Sequence, residues 1–436
     1  MKVLLVGTGG VGEALVKILR ERDPKKQWLQ KMVLADYNLP RAKEVAEKIG
    51  EPERFPAEQV NAKNTFEVAD LARKYKVDLI LDAAAPFVTK NLFDAAYETG
   101  CHYINLGTWS EPHPEDPVGR GYTELMASYN FAADCQWREK GLMAVIGAGI
   151  DPGVVDVFAK FAEIYCFDQL DEIAVKDGGN LTAEGLEIAF GFSIWTMIDE
   201  ILNPPVTWEK DKGWYVQEPF ADPEVFYFPE GIGPVKLMKV EHEEVVLMPR
   251  YIDKGLKKVS FKIALGDEIV NAMKVLRALG LDQKKEIDFK GTRLSPRDVV
   301  EAVAPNPAYI GDKLKGKMCV GVHGIGKKDG LHREIFIYQC LDNEETMARL
   351  GCQVVVAQTA YGTAIALELI SKGIWRGRGV FGPEAFAPEP YLRLMEEYDY
   401  PYGLLEMDSD YKRKQDQAAI KELLSAPVEN PASSKG

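Results

Sequence analysis

Histidine is scarce in this chain, with five residues among 436. None of them falls in an HExxH or other metal-ligand spacing, so no metal site is expected. The six cysteines, Cys101, Cys135, Cys166, Cys319, Cys340 and Cys352, are scattered and form no CxxC pair, which argues against a disulfide framework. Long hydrophobic runs are also missing. None reaches the roughly 18 residues of a membrane span. The apolar stretch Met1–Gly7 is too short for a signal peptide and leads straight into a glycine-rich turn. Positive charge is in deficit, with 53 Lys and Arg against 67 Asp and Glu and a net charge of −14. That balance sets nucleic acid aside as a partner, because phosphate binding needs a positive face, and lends slight support to a cationic substrate. We expect a cytoplasmic protein with no nucleic-acid or membrane partner.

A chain that is 46% hydrophobic and 28% charged folds, and its length calls for two domains rather than one. Up to residue 152, short apolar runs alternate with helical patterns. Strands are expected at Val3–Val6, Lys31–Ala35, Val77–Ala83, His102–Leu106 and Leu142–Gly147, with helices between them. That alternation predicts a parallel sheet with right-handed crossovers. From 153 to 350 the strands are separated by longer aromatic-rich stretches, which read as an α+β substrate or dimerisation domain. A segment at 351–407 contains the small-residue-rich apolar run Val354–Ile370, expected to return and pack on the first domain. A charged tail at 408–436 closes the chain, and Pro431–Gly436 is expected to be disordered. The fold class is therefore α/β, a Rossmann-type parallel-sheet domain joined to an α+β domain.

Gly7-Thr8-Gly9-Gly10-Val11-Gly12 matches G-x-G-x-x-G between an expected strand and an expected helix. In that setting Gly7 permits the tight turn, Gly9 lets backbone approach a pyrophosphate and Gly12 lets helix and strand pack closely. Gly10 and Val11 open the helix, whose N–H groups face the phosphates. Asp36, ending the second strand, would bond the ribose hydroxyls and repel a 2′-phosphate, so NAD is the expected cofactor. Asp36 could instead cap the next helix, and Arg41 nearby leaves NADP open. Ala84 and Ala85 follow the Val77–Ala83 strand, where the cofactor passes.

Three further segments are informative together: Tyr103-Ile104-Asn105-Leu106-Gly107, Gly147-Ala148-Gly149-Ile150-Asp151-Pro152-Gly153-Val154, and the run Trp208–Pro219 with His242-Glu243-Glu244. With the glycine loop, Lys315-Gly316-Lys317 and Phe381–Pro390, they resemble the saccharopine dehydrogenase and carboxynorspermidine synthase family over nearly the whole chain to about Gly403. The resemblance implies an NAD(P)-dependent oxidoreductase, usually a homodimer, acting at the carbon–nitrogen bond of a small amine or amino-acid substrate. A carboxynorspermidine synthase-like activity comes first, then saccharopine dehydrogenase and lysine 6-dehydrogenase. The segment Asp177–Glu184 and Gly191–Trp195 look more like saccharopine reductases, and Asp36 departs from NADPH-using members. A non-catalytic dinucleotide-binding protein is the alternative outside this class.

Imine chemistry needs a proton donor for nitrogen and cations for a substrate carboxylate. Asp151 follows a strand end, where open α/β sheets bind ligands, although Asp-Pro-Gly is also a good helix start. A histidine ring ordinarily titrates near neutrality, and His242 stands beside carboxylates that could orient it, while Asp177 could meet a substrate ammonium. These three are the catalytic candidates. Arg250 is the candidate carboxylate clamp, and Thr108 and Trp109 are candidate pocket walls. Each has a structural alternative: a surface histidine, an arginine neutralising Glu243 and Glu244, a solvated aspartate, a packed tryptophan. The charge lining the second-domain pocket discriminates among substrates, since polyamines want carboxylates and aromatic faces whereas saccharopine needs several cations.

Overall fold

The computed structural model describes residues 1–425, so the expected disorder at 431–436 lies outside the described residues. The strands that matter here are β1 (Lys2–Val6), β2 (Lys31–Asp36), β3 (Ala57–Gln59), β4 (Leu79–Asp82), β5 (His102–Asn105), β6 (Met143–Val145), β7 (Gln169–Gly179), β8 (Val206–Glu209), β9 (Gly213–Val216), β10 (Glu224–Phe228), β11 (Gly233–Lys239), β12 (Lys258–Ala264), β13 (Lys317–Lys328), β14 (Leu331–Asp342), β15 (Gly379–Phe381) and β16 (Tyr402–Glu406).

The first sheet runs β15-β6-β5-β4-β1-β2-β3 and every pairing in it is parallel. Strands β1 and β4 are almost wholly apolar and buried, as a sheet covered on both faces requires. Helix α1 (Gly10–Arg22) covers one face. Against it lies α2 (Val354–Ser371), with Val354, Ala360 and Ile365 in the same core as Leu15 and Leu19. Lys17 Nζ donates to the Leu350 carbonyl, and Arg22 pairs with Glu368 at 2.9 Å. α2 is long and apolar enough to cross a membrane, but 83% of it is buried inside the fold.

The second sheet is mixed. Its main path is β9-β8-β12-β7-β13-β14-β16, with β11 pairing β12 and β10 pairing β11. The long hairpin β13–β14 pairs from Lys317↔Asp342 to Lys328↔Leu331. Here the return segment divides in a way the sequence did not suggest. α2 and β15 join the first domain, but β16 pairs antiparallel with β14, from Ile335↔Glu406 to Gln339↔Tyr402. The physical reason is the open edge of β14, whose unpaired backbone groups β16 satisfies. Of the charged tail, Asp410–Ser425 is helical.

Candidate active site

The glycine loop has the geometry a dinucleotide needs. Gly7 has φ +103°, and a Cβ there would lie 2.4 Å from the Ala83 carbonyl oxygen. A Cβ on Gly12 would lie 2.2 Å from the Gly7 carbonyl oxygen, whereas one on Gly9 meets nothing within 4 Å. Gly7 and Gly12 are thus fixed by the fold, while Gly9 borders open space sized for a ligand. Gly10 begins α1 and faces Val356, and Val11 packs on the core, so these two serve the helix. Beside the loop opens a cleft of about 860 Å³ lined by Gly7, Gly9, Asp36, Ala84 and Ala85 on the first domain, and by Ser193, Trp195 and Lys284 on the second.

Asp36 lines this cleft and does not cap the following helix, which Asn38 caps. Its Oδ2 accepts from Thr8 N–H at 2.8 Å and Thr8 Oγ1 at 3.0 Å, and its Oδ1 accepts from Asn38 N–H at 2.9 Å. The carboxylate therefore holds the glycine loop as well as facing the cleft. Arg41 is committed elsewhere: Nε donates to the Thr8 carbonyl at 3.0 Å, and its other nitrogens pair with Glu44 and Glu13. Asp82 supports the next loop. It accepts from Thr89 Oγ1 and Tyr103 OH at 2.8 Å each and from Ala84 N–H at 3.0 Å, and burial raises its pKa to about 6.

Adjoining the cleft, a small chamber of about 50 Å³ lies between the domains. Thr108 and Trp109 line it from the loop after β5, Asp199 and Glu200 from the helix Ile194–Leu202, and Glu241 and His242 from the turn after β11. Phe87, Trp109 and Trp195 line both chamber and cleft, which makes the two continuous. Thr108 N–H donates to Glu243 Oε1 at 2.8 Å. The structure therefore brings His242, Thr108 and Trp109 to one place.

Asp177 and Asp151 interact electrostatically with His242, but neither lines the chamber or the cleft. Asp177 is buried in β7, not solvated in a loop, and its Oδ1 has no hydrogen-bond partner. Burial, relieved by His242 and reinforced by Glu244, raises its pKa to about 7. Asp151 is not a helix cap, because the helix begins at Val154 behind Gly153. Its Oδ2 is also unpartnered, and burial together with Asp177 drives its pKa well above the carboxylate range. Burial raises Glu200 to about 8 and Glu241 to about 7. His242 stacks on Phe261 at 3.7 Å, its Nδ1 hydrogen-bonded to Glu244. Burial works against a charged ring, but Glu244, Glu200 and Glu243 outweigh it and raise the imidazole well above its ordinary range.

Arg250 is not brought to the chamber. Its guanidinium lies 4.0 Å over the Phe131 ring and 5.4 Å from that of Trp214, and Nε donates to the Val246 carbonyl. The short helix Glu244–Leu247 and the turn after it carry the side chain away from His242. The sequence showed no metal-ligand cluster, yet His242, Glu243 and Glu244 offer ligand atoms within 4.8 Å of one another. Spacing motifs miss three consecutive residues folded into one turn. All three groups are already committed, His242 and Glu244 to each other and Glu243 to Thr108.

A glycine-looped parallel sheet opening onto an interdomain chamber of carboxylates and aromatic rings defines a two-domain NAD(P)-dependent oxidoreductase. Comparison with known proteins narrows the class. The saccharopine dehydrogenase NADP binding domain matches residues 3–145 and the saccharopine dehydrogenase C-terminal domain matches residues 149–400, so the chain belongs to the saccharopine dehydrogenase family. It is 28% identical over 424 residues to the carboxynorspermidine synthase of Vibrio cholerae, covering 94% of this chain and 98% of that protein. It is 26% identical over 404 residues to the carboxyaminopropylagmatine dehydrogenase of Synechocystis, covering 92% and 96%. In fold it is similar to saccharopine dehydrogenase (L-Glu forming) from Saccharomyces cerevisiae, with TM-score 0.66, 14% identity and coverage of 93% and 100%. It is likewise similar to homospermidine synthase from Legionella pneumophila in complex with NAD, with TM-score 0.63, 16% identity and coverage of 93% and 91%.

Proposed function

We propose that this enzyme joins a polyamine-type amine to an aldehyde by reducing the imine between them, or runs the reverse oxidation, in the manner of carboxynorspermidine synthase. One observation carries the reading. The chamber wall presents Glu200, Glu241 and Glu243 beside Phe87, Trp109 and Trp195, and among the described residues no lysine or arginine lines it; the fourth acid, Asp199, is already paired with Arg297 and Lys284 behind the wall. Buried carboxylates want a cation, and aromatic faces hold ammonium groups. A saccharopine-type substrate, bearing several carboxylates, would meet repulsion there. Two curated relatives, a carboxynorspermidine synthase and a carboxyaminopropylagmatine dehydrogenase, bear the names of carboxylated polyamines. A scaffold without chemistry would have no need of such a chamber.

Bound in the cleft, the nicotinamide cofactor supplies or accepts the hydride. The chain's own residues do the rest. His242, held at Nδ1 by Glu244, offers Nε2 as proton donor to the substrate nitrogen. Glu200 and Glu241 on the chamber wall receive the ammonium end, Asp177 and Asp151 act on it through His242, and Thr108 and Trp109 form the wall that excludes water. Asp36 facing the cleft and Arg41 spent on Glu13 and Glu44 favour NAD over NADP. The homodimer belongs to this reading and rests on the family resemblance, and the cytoplasmic setting is carried over from the reading of the sequence.

The test is a panel of 1,3-diaminopropane, agmatine and lysine, each with a short α-amino-acid semialdehyde and with 2-oxoglutarate, using NADH and NADPH and followed at the nicotinamide absorbance. Turnover of a diamine or agmatine with the semialdehyde, faster with NADH, is expected. Turnover confined to lysine with 2-oxoglutarate would overturn the substrate assignment. A strong preference for NADPH would overturn the argument from Asp36.

A further inference from the structure

With Arg250 outside the chamber, a carboxylate-bearing substrate has no obvious anchor, and the chamber's own acids repel it. The cations near the chamber are few and differ in how far they are committed. Arg297 is buried and fully engaged: Nε and Nη2 donate to the Asp282 carbonyl, and Nη1 donates to the Trp195 carbonyl and to Asp199 Oδ1 at 2.7 Å. Lys63 stands over the Phe87 ring at 5.4 Å, on the wall that also carries Gly9 and Asp36.

Lys284 differs from both. Its Nζ pairs with Asp199 Oδ2 at 2.7 Å and lies 4.4 Å over the ring of Trp109. It lines the cleft, while Trp109 and Asp199 line the chamber, so the ammonium sits where the two spaces meet. The side chain is 34% exposed. An ammonium has three N–H donors, and Asp199 uses one of them. Asp199 in turn keeps Arg297 on its other oxygen, so Lys284 can take a second anion without stranding a buried charge.

We propose that Lys284 is the carboxylate receptor of this enzyme. It fixes the substrate's polarity, with the ammonium inward among the acids and the carboxylate outward on Lys284 at the chamber mouth. The inference rests on the polyamine reading for its substrate class. The anion chemistry is shared by substrate carboxylate and cofactor phosphate. The contact with Trp109 and Asp199 favours the carboxylate, because phosphate has the glycine loop and the α1 N-terminus.

Wild type, Lys284→Gln and Lys284→Arg are compared for kcat/KM on the α-amino-acid semialdehyde and on 3-aminopropanal, which lacks the carboxylate, and for the KM of NADH. Loss of a charge-assisted bond should cut the preference for the carboxylated aldehyde by about tenfold or more in Lys284→Gln, with partial recovery in Lys284→Arg. Equal loss on both aldehydes would mean a structural role and overturn the proposal. So would a rise confined to the NADH KM, which would assign Lys284 to the cofactor. Binding of L-2,4-diaminobutyrate to the enzyme–NADH complex, read from tryptophan fluorescence, separates this claim from the reaction itself. Weaker binding to Lys284→Gln supports the receptor even if no amine–aldehyde pair turns over, and unchanged binding overturns it.

Discussion

His242 sits under opposing demands. Burial against Phe261 disfavours a charged ring, and the surrounding carboxylates favour it and prevail. Its protonated form should therefore persist well above neutrality, placing loss of the proton donor on the alkaline limb of the pH profile. His242→Gln should lower kcat about 10²- to 10⁴-fold with a smaller change in amine KM. Glu244→Gln removes the largest influence holding the proton on, so the alkaline limb should move to lower pH. An unmoved limb would separate His242 from the proton transfer. At this scale the sequence was readable in part. The glycine loop, Asp36, His242, Thr108 and Trp109 were visible because their spacing or family context marks them. Glu200 and Glu241 were not, because an acid in Asp-Glu-Ile-Leu or Glu-His-Glu-Glu looks solvated until tertiary packing buries it. Arg250 misled for a related reason: nearness in sequence to His242 says nothing about where an intervening helical turn points the side chain.

α2 joins the two halves of the site. Gly362 lies within it, and a Cβ there would come 2.2 Å from the carbonyl oxygen of Gly149, in the loop that carries Asp151. Gly362→Ala should cost about 1–3 kcal/mol, as overpacking does. It should also lower kcat, because the loop can yield only by shifting Asp151. Thermal unfolding and initial rates on the same preparation check both, and an unchanged Tm would refute the close packing. The long elements were legible from their periodicity. The short strands β3 and β15 were not read, and β16, inside the segment expected to return to the first domain, pairs in the second sheet instead because strand pairing is settled by whichever sheet edge stands open.

For the molecule as a whole, a net charge of −14 and an acidic chamber should draw a diamine in and hold a nicotinamide dinucleotide off. Salt screens both effects over a Debye length of about 10 Å at 0.1 M. Raising ionic strength from about 0.01 to about 0.2 M should raise the KM of the diamine severalfold and leave that of the cofactor unchanged or lower. A diamine KM insensitive to salt would refute long-range attraction. The division into a parallel-sheet domain and a mixed-sheet domain was evident from the changing rhythm of the chain. The order of synthesis adds a consequence of its own. Strand β15 and helix α2, which complete the first sheet's edge and cover its face, emerge from the ribosome only after about half the chain has followed β6. Until then the nascent N-terminal half must wait with an unpaired edge and an uncovered apolar face. A gene fragment ending near residue 152 would therefore encode an aggregation-prone intermediate, not a portable cofactor-binding module.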